Sequence, residues 1–272
     1  MSTSPRATDD PTDGRSRSSL FRSKPTDRLQ RQDEPVDELT GLPERRTLVA
    51  AFEEAVRLAP PGVQVALGLI DLRDFTGRTF WDPQDEMADL ADAVLAGFVE
   101  TVLRHGGYPL GLRGDGLFAG FGPGDPQVGA SCALAASAFA LNAVKENLNP
   151  RLEQMGVARV QARAGLDFGQ ITFVRTGSVG HSEINPVGFA ANFASKCEKK
   201  ALSWEIVTGE NLAGLFPDAT QFTKLDPPKT YTRDHVTKTY HFYDYRWTGT
   251  LAHSESLIHE LAGNSVSSVT VG

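Results

Sequence analysis

The apolar run Val65-Ala66-Leu67-Gly68-Leu69-Ile70 leads straight into Asp71. It is too short for an ordinary helix, and an unbroken apolar run suits a strand buried inside a sheet. The sequence therefore predicts a central strand that delivers a carboxylate at its exit. A second carboxylate, Asp115, sits in the turn Leu112-Arg113-Gly114-Asp115-Gly116. Between them, from Glu86 to Arg104, Met87, Leu90, Ala91, Val94, Leu95, Phe98, Val102 and Leu103 recur at helical spacing. The order is then strand, helix, hairpin, and both acids can meet at one end of adjacent strands. Magnesium or manganese needs few carboxylates when phosphate oxygens complete the shell, so this pairing suits metal-nucleotide chemistry. Taken alone, the two acids also read as a turn residue and a strand-end cap, both common.

The remaining pattern supports an α/β (α+β) domain with a mixed sheet and helices packed on one face. Pro43-Glu44-Arg45-Arg46 opens a helix with Leu48, Val49, Phe52 and Val56 on one side, ended by Pro60-Pro61-Gly62. A hairpin runs from Gly106 to Phe121, and a long helix follows from Pro126 to Asn147. Strands are expected over Val160 to Asp167 and Gln170 to Val174, and a helix over Pro186 to Leu202. After these come a strand at Trp204 to Val207, a short helix at Glu210 to Phe216 and a last strand at Thr239 to Arg246.

Residues 1 to 36 are rich in Ser, Thr, Asp, Arg and Pro with almost no aliphatic side chains, so they are read as a disordered arm. Residues 248 to 272 read as a loosely held tail, leaving 37 to 247 as the folded domain. No unbroken apolar stretch reaches the roughly 18 residues of a membrane span and no apolar leader opens the chain. The expectation is a cytoplasmic protein with no membrane partner. The net charge of -7 argues against general nucleic-acid binding. Cys132 and Cys197 give neither a disulfide framework nor zinc spacing, and His105, His181, His235 and His241 also lack metal spacing.

Four blocks, in order, resemble the class III nucleotidyl cyclases. Leu69-Ile70-Asp71-Leu72-Arg73-Asp74-Phe75-Thr76 is similar to that family's first metal strand and phosphate turn. Arg113-Gly114-Asp115-Gly116-Leu117-Phe118 resembles its second metal hairpin, and Ala162-Arg163-Ala164-Gly165-Leu166-Asp167-Phe168-Gly169 its next strand and glycine turn. Gly188-Phe189-Ala190-Ala191-Asn192-Phe193-Ala194-Ser195-Lys196 resembles the helix that carries a catalytic Asn and a cation to the partner's site. The resemblance implies a palm-like, ferredoxin-type fold and attack of a ribose 3'-hydroxyl on the α-phosphate. It also implies two divalent metal ions, Mn2+ or Mg2+, held by Asp71, Asp115 and the Leu72 carbonyl. Backbone N–H groups from Asp74 to Gly77, including Thr76, would cradle phosphate. Asn192 would orient the ribose and Lys196 stabilise charge on the α-phosphate, with Lys229 a candidate for the outer phosphates and Phe75 for packing on the base. Because metal carboxylates and the Asn192 to Lys196 helix come from opposite sides of the nucleotide in that family, a homodimer with composite sites is implied.

Three positions depart from the purine-specific pattern. Lys196 stands where Arg is usual, losing the bidentate fork. Gly111 occupies a base-reading position, while Arg113 precedes the Gly-Asp pair with donors that suit a pyrimidine carbonyl. Asn185 occupies the other base-reading position. With the ending Thr239-Tyr240-His241-Phe242-Tyr243, these features resemble the pyrimidine cyclases of bacterial Pycsar antiphage systems. That likeness implies UTP as preferred substrate, CTP as the alternative, and a functional link to a separate effector activated by the cyclic nucleotide. Asp37-Glu38-Leu39-Thr40-Gly41-Leu42-Pro43 is also similar to the start of GGDEF diguanylate cyclases, whose signature would place Glu where Gly116 stands. A bacterial adenylate or guanylate cyclase and a catalytically dead nucleotide-binding module are the remaining alternatives.

Overall fold

β1 (Val65–Arg73) is buried on both faces, as its unbroken apolar sequence requires, and everything else is arranged around it. The computed structural model describes residues 45–60, 63–178 and 181–251. The N-terminal arm, the GGDEF-like stretch before Arg45, and all of the C-terminal tail beyond Leu251 lie outside the described residues. Strand β1 pairs antiparallel with β3 (Gly116–Phe121) on one side and β4 (Gln161–Gly169) on the other. The hairpin partner β2 (Tyr108–Arg113) forms one edge. On the other side follow β7 (Ile206–Gly209), β9 (Val236–Tyr245) and β8 (Phe222–Arg233), giving a seven-stranded order β2-β3-β1-β4-β7-β9-β8. Only the β4–β7 pairing is parallel, so the sheet is mixed, as expected.

Alternation along β1 sorts the core into two layers. Ala66, Ile70 and Leu72 face α3 (Gln84–Arg104) and α4 (Pro126–Asn142), joining Met87, Leu90, Val94, Phe98 and Leu134 in the larger core. Val65 and Leu67 face the opposite way, against Val49 and Phe52 of α1 (Arg45–Leu58) and Ala190 of α6 (Phe189–Lys200). Helices therefore cover both faces, which corrects the one-face expectation. A strand with no polar alternation has to be covered on both sides.

Other elements differ in their bounds. The helix from Pro126 is capped by Asp125, whose carboxylate accepts the Gln127 and Val128 N–H groups at 2.8 and 3.1 Å. It passes through a π-helical stretch, Ala143–Leu148, into α5 (Asn149–Gln154). This run of 29 residues is long and apolar enough to cross a membrane, and here Ala130, Ala133, Leu134, Ala138 and Leu141 place it in the larger core. The expected helix from Pro186 begins instead at Phe189, because His181–Val187 forms strand β6, paired with β5 (Thr172–Ser178) in a separate ribbon. A short helix α2 (Phe75–Trp81) follows β1, and α7 (Glu210–Ala213) ends three residues before Phe216. Strand β8, absent from the sequence reading, pairs with β9, which itself starts at Val236 rather than Thr239.

Asp167 is fully buried on the α6 side of β4, where Tyr240 O–H donates to its two carboxylate oxygens at 3.0 and 3.2 Å. Burial pushes its pKa up to about 7, with the nearby Glu210 charge adding to the shift, while Tyr240 and backbone N–H groups of Phe168 and Leu212 oppose it. The same pocket holds Cys197, whose thiol is likewise pushed up by burial. A carboxyl raised in the folded state stabilises below its unfolded pKa and loses that contribution as pH climbs through the folded value. Asp167 alone then lowers stability by about 4 kcal/mol between about pH 4 and pH 7. In Asp167→Asn this slope is expected to vanish, so thermal melts at pH 5 and pH 8 should converge relative to wild type. Equal pH slopes in the two proteins would show that Asp167 is ionised throughout.

Candidate active site

Strand pairing brings the two expected metal carboxylates together. The β1–β3 ladder ends at Ile70↔Leu117, so Asp71 and Leu72 run past it, next to the turn that holds Asp115 between β2 and β3. Burial, then the charge of Asp71, raises the Asp115 pKa to about 6. The Leu72 side chain is buried in the larger core, so its main-chain carbonyl is the part it can offer to a ligand.

Two residues that sequence reasoning left without a role complete this end of the sheet. Register places Arg163 of β4 directly opposite Asp71, and its Nη2 lies 3.2 Å from Asp71 Oδ2. The same guanidinium pairs with Glu198 of α6. Glu198 is 6% exposed, and burial together with the Asp71 charge pushes its pKa up against the opposing pull of Arg163. Two carboxylates thus share one guanidinium, whose charge also lowers the Asp115 pKa against the effect of burial. The signal was present in the sequence, because Arg163 interrupts a strand of Ala, Gly and Leu, but its partner Glu198 lies 35 residues on.

Helix α6 is seated on β4 through Gly165. A methyl group there would fall 1.9 Å from the Glu198 amide nitrogen and 2.5 Å from the Ala194 carbonyl oxygen, so no other residue allows this approach. The buried side of α6 carries Ala190, Phe193, Ala194, Cys197 and Glu198. Asn192 and Lys196, one turn apart, lie on the remaining side, exposed and half-buried respectively. They point away from the sheet that holds Asp71.

The other expected residues are dispersed. Asn185, on the β5–β6 ribbon, donates from Nδ2 to Thr176 Oγ1 at 2.8 Å. Lys229 sits opposite Tyr240 on β8, four strands from β1 in the sheet order, roughly 19 Å at ordinary strand spacing. Phe75, half-buried, packs one side against the larger core. Thr76 is exposed, and its carbonyl accepts Thr79 O–H at 2.8 Å. Arg113 closes β2 opposite Gly116, and its side chain lies outside the described residues. Among the described residues no group of three or more His, Cys, Asp and Glu is assembled to hold a metal, so protein donors alone do not complete a shell.

Comparison with known proteins adds the following. No family model matches the chain. It is 24% identical to a cytidylate cyclase from Escherichia coli over 44% of this chain, a stretch that spans only 28% of that protein. Among solved structures it resembles the adenylyl cyclase CyaB from P. aeruginosa, with 19% identity and a TM-score of 0.59 over 67% of this chain and 93% of that one. It also resembles the guanylate cyclase domain of RhGC from Catenaria anguillulae, solved in complex with GTP, with 17% identity and a TM-score of 0.57 over 69% of this chain and 98% of that one. With the strand order, the paired aspartates and these likenesses in view, the chain has the fold of the class III nucleotidyl cyclases.

Proposed function

We propose that this chain is a pyrimidine nucleotide cyclase that converts UTP to 3',5'-cyclic UMP and pyrophosphate. The convergence of Asp71 and Asp115 at one end of β1 and β3 carries the reading. The fit to divalent metal rests on charge. Asp71 and Glu198 pair with one guanidinium, and the Asp71 charge adds to burial in raising the Asp115 pKa. Asp71, Asp115 and the Leu72 carbonyl would hold two ions, magnesium or manganese, and the nucleotide's phosphate oxygens would complete the shells. When bound, such ions neutralise the triphosphate and lower the pKa of the attacking hydroxyl.

The reaction forms a bond from the ribose 3'-oxygen to the α-phosphorus and breaks the α–β phosphoanhydride bond, while the hydroxyl proton leaves to solvent. Asn192 orients the ribose, and Lys196 stabilises the charge that gathers on the α-phosphate. Lys229 reaches the outer phosphates, and Arg113 and Asn185 read the base. Because Asn192 and Lys196 face away from their own Asp71, and Lys229 lies four strands off, one chain does not close a site. A homodimer supplies each site from two chains. Exposed Val174, Val187, Phe189 and Tyr231, at 39%, 49%, 45% and 38%, gather along the β5–β6 ribbon and the start of α6, where a second copy would cover them.

In this reading residues 37 to 247 are the catalytic domain, flanked by the arm 1 to 36 and the tail 248 to 272. The cyclic nucleotide serves as a second messenger to a separate effector in antiphage defence. The E. coli relative favours one alternative, cyclic CMP from CTP. Incubation of the purified chain with manganese and each of ATP, GTP, CTP and UTP, with products identified by chromatography and mass, tests both. Cyclic UMP as main product is expected. Faster use of CTP would move the assignment to cytidylate cyclase, and a purine product would discard the roles given to Arg113 and Asn185.

A further inference from the structure

The short helix α2 ends in two aromatic rings that the fold leaves bare. Phe80 and Trp81 are 75% and 82% exposed, and their rings meet edge to face at 4.8 Å. In α2 only Phe75 packs on the larger core, while Arg78 ties the helix to Asp82 and to the Ala158 carbonyl. Two large rings side by side in water mark a surface built to be covered. Helix α3 follows at once and turns its stripe of Met87, Leu90, Val94 and Phe98 into the core. On its opposite side Asp85, Asp89 and Asp92 recur at i, i+4 and i+7, and among the described residues no side chain pairs with any of the three. An aromatic pair is thus bordered by a row of acids without counter-charge.

That border selects the occupant. A second copy laid on this face by two-fold symmetry sets acid against acid, and nucleic acid or an anionic lipid surface is repelled in the same way. A basic peptide fits, because guanidinium groups stack on aromatic faces and pair with carboxylates. The chain carries such a segment outside the described residues. From Arg15 to Arg31, six cations, Arg15, Arg17, Arg22, Lys24, Arg28 and Arg31, stand with one acid, Asp27, around Leu20, Phe21 and Leu29, in a chain whose net charge is -7. We propose that this segment of the N-terminal arm docks on the Phe80–Trp81 face of its own chain, against Asp85, Asp89 and Asp92. The stretch from Arg31 to Arg45, where α1 begins, extends to roughly 46 Å, comparable with the breadth of a domain whose radius of gyration is about 17 Å. Such a tether gives an effective concentration on the order of mM, so contacts that are weak one by one still populate the docked state. Docking braces α2 from outside and does not depend on any nucleotide chemistry.

The test treats the full chain with a zero-length carbodiimide, which joins an amine to a carboxylate in contact with it, and maps the links by mass spectrometry. Lys24 is the arm's one lysine. Links from Lys24 to Asp85, Asp89 or Asp92 are expected at low salt, and should fall at least about fivefold in about 1 M salt, where the screening length shrinks to roughly 3 Å. Arg17→Ser, Arg22→Ser and Arg28→Ser together keep Lys24 and leave residues 45 to 251 unchanged. This triple variant should lose the links to the same extent and show stronger acrylamide quenching of Trp81, the one exposed tryptophan of three. Mixing isotope-labelled with unlabelled protein shows whether a link joins one chain or two, and links between chains would overturn docking on the same chain. Wild type without Lys24 links to α3, or a triple variant whose links and quenching stay within about twofold of wild type, would overturn the docking altogether. Protection of Trp81 from acrylamide by phosphatidylcholine vesicles, with no Lys24 link, would give the face to a lipid surface instead.

Discussion

Asp71→Ala and Lys196→Ala proteins are each expected to lose turnover by more than about 100-fold, beyond what removal of an outer-shell partner of a metal ligand costs. An equimolar mixture should regain about a quarter of wild-type activity. The recovery follows from geometry. Asp71 lies on the sheet and Lys196 on the side of α6 turned away from it. In a mixed dimer, one site then combines both substitutions and the other combines neither. Random exchange makes half of the dimers mixed, each with one intact site of two. Native mass spectrometry identifies the mixed dimers. Their formation without recovered activity would sink the composite-site arrangement, because it would mean that Asp71 and Lys196 of the same chain serve one site.

Gly165→Ala should be among the most damaging single methyl additions in the chain. The added carbon would land 1.9 Å from the Glu198 nitrogen and 2.5 Å from the Ala194 oxygen, and both are helix backbone atoms that cannot rotate aside. Helix α6 must lift. Overpacking of a core costs typically 1–3 kcal/mol, and backbone neighbours place this case at about 3 kcal/mol or above. For a domain of this size that lowers the melting temperature by roughly 6–12 °C. Lifting α6 also draws Glu198 off Arg163 and loosens the guanidinium that contacts Asp71, so activity should fall further than unfolding explains. A variant with wild-type melting temperature would mean that α6 does not rest on Gly165.

What was legible in the sequence follows from how each element is stabilised. β1, α3 and the β2–β3 hairpin carry strong periodic or apolar signals, and the chain alone placed Asp71 and Asp115 at one sheet end. The same run held a further message, since continuous burial of β1 already demanded cover on both faces. Helix α2 has no fully buried side chain and only Phe75 packs against the core, so no hydrophobic period marks it. β5 is almost wholly exposed and β6 contains Pro186, which left the ribbon without an alternating pattern. β8 carries Pro227 and Pro228 and is exposed along most of its length, and it exists because β9 templates it. Arg163 and Glu198 acquire their roles only through the β1–β4 register and the seating of α6, which no local window contains.

The two edges of the large sheet share a device. On β2 the ladder shifts register between Pro109 and Gly111, and on β8 it shifts between Leu225 and Lys229, across Pro227 and Pro228. Proline offers no N–H, a bulge breaks the even spacing of free backbone groups, and Lys224, Lys229 and Arg233 add charge to the β8 edge. Neither border can template a further strand, so runaway edge-to-edge growth into fibres is blocked at both ends of the sheet. Concentrated preparations should resist cross-β aggregation even though the sheet is left open rather than closed into a barrel.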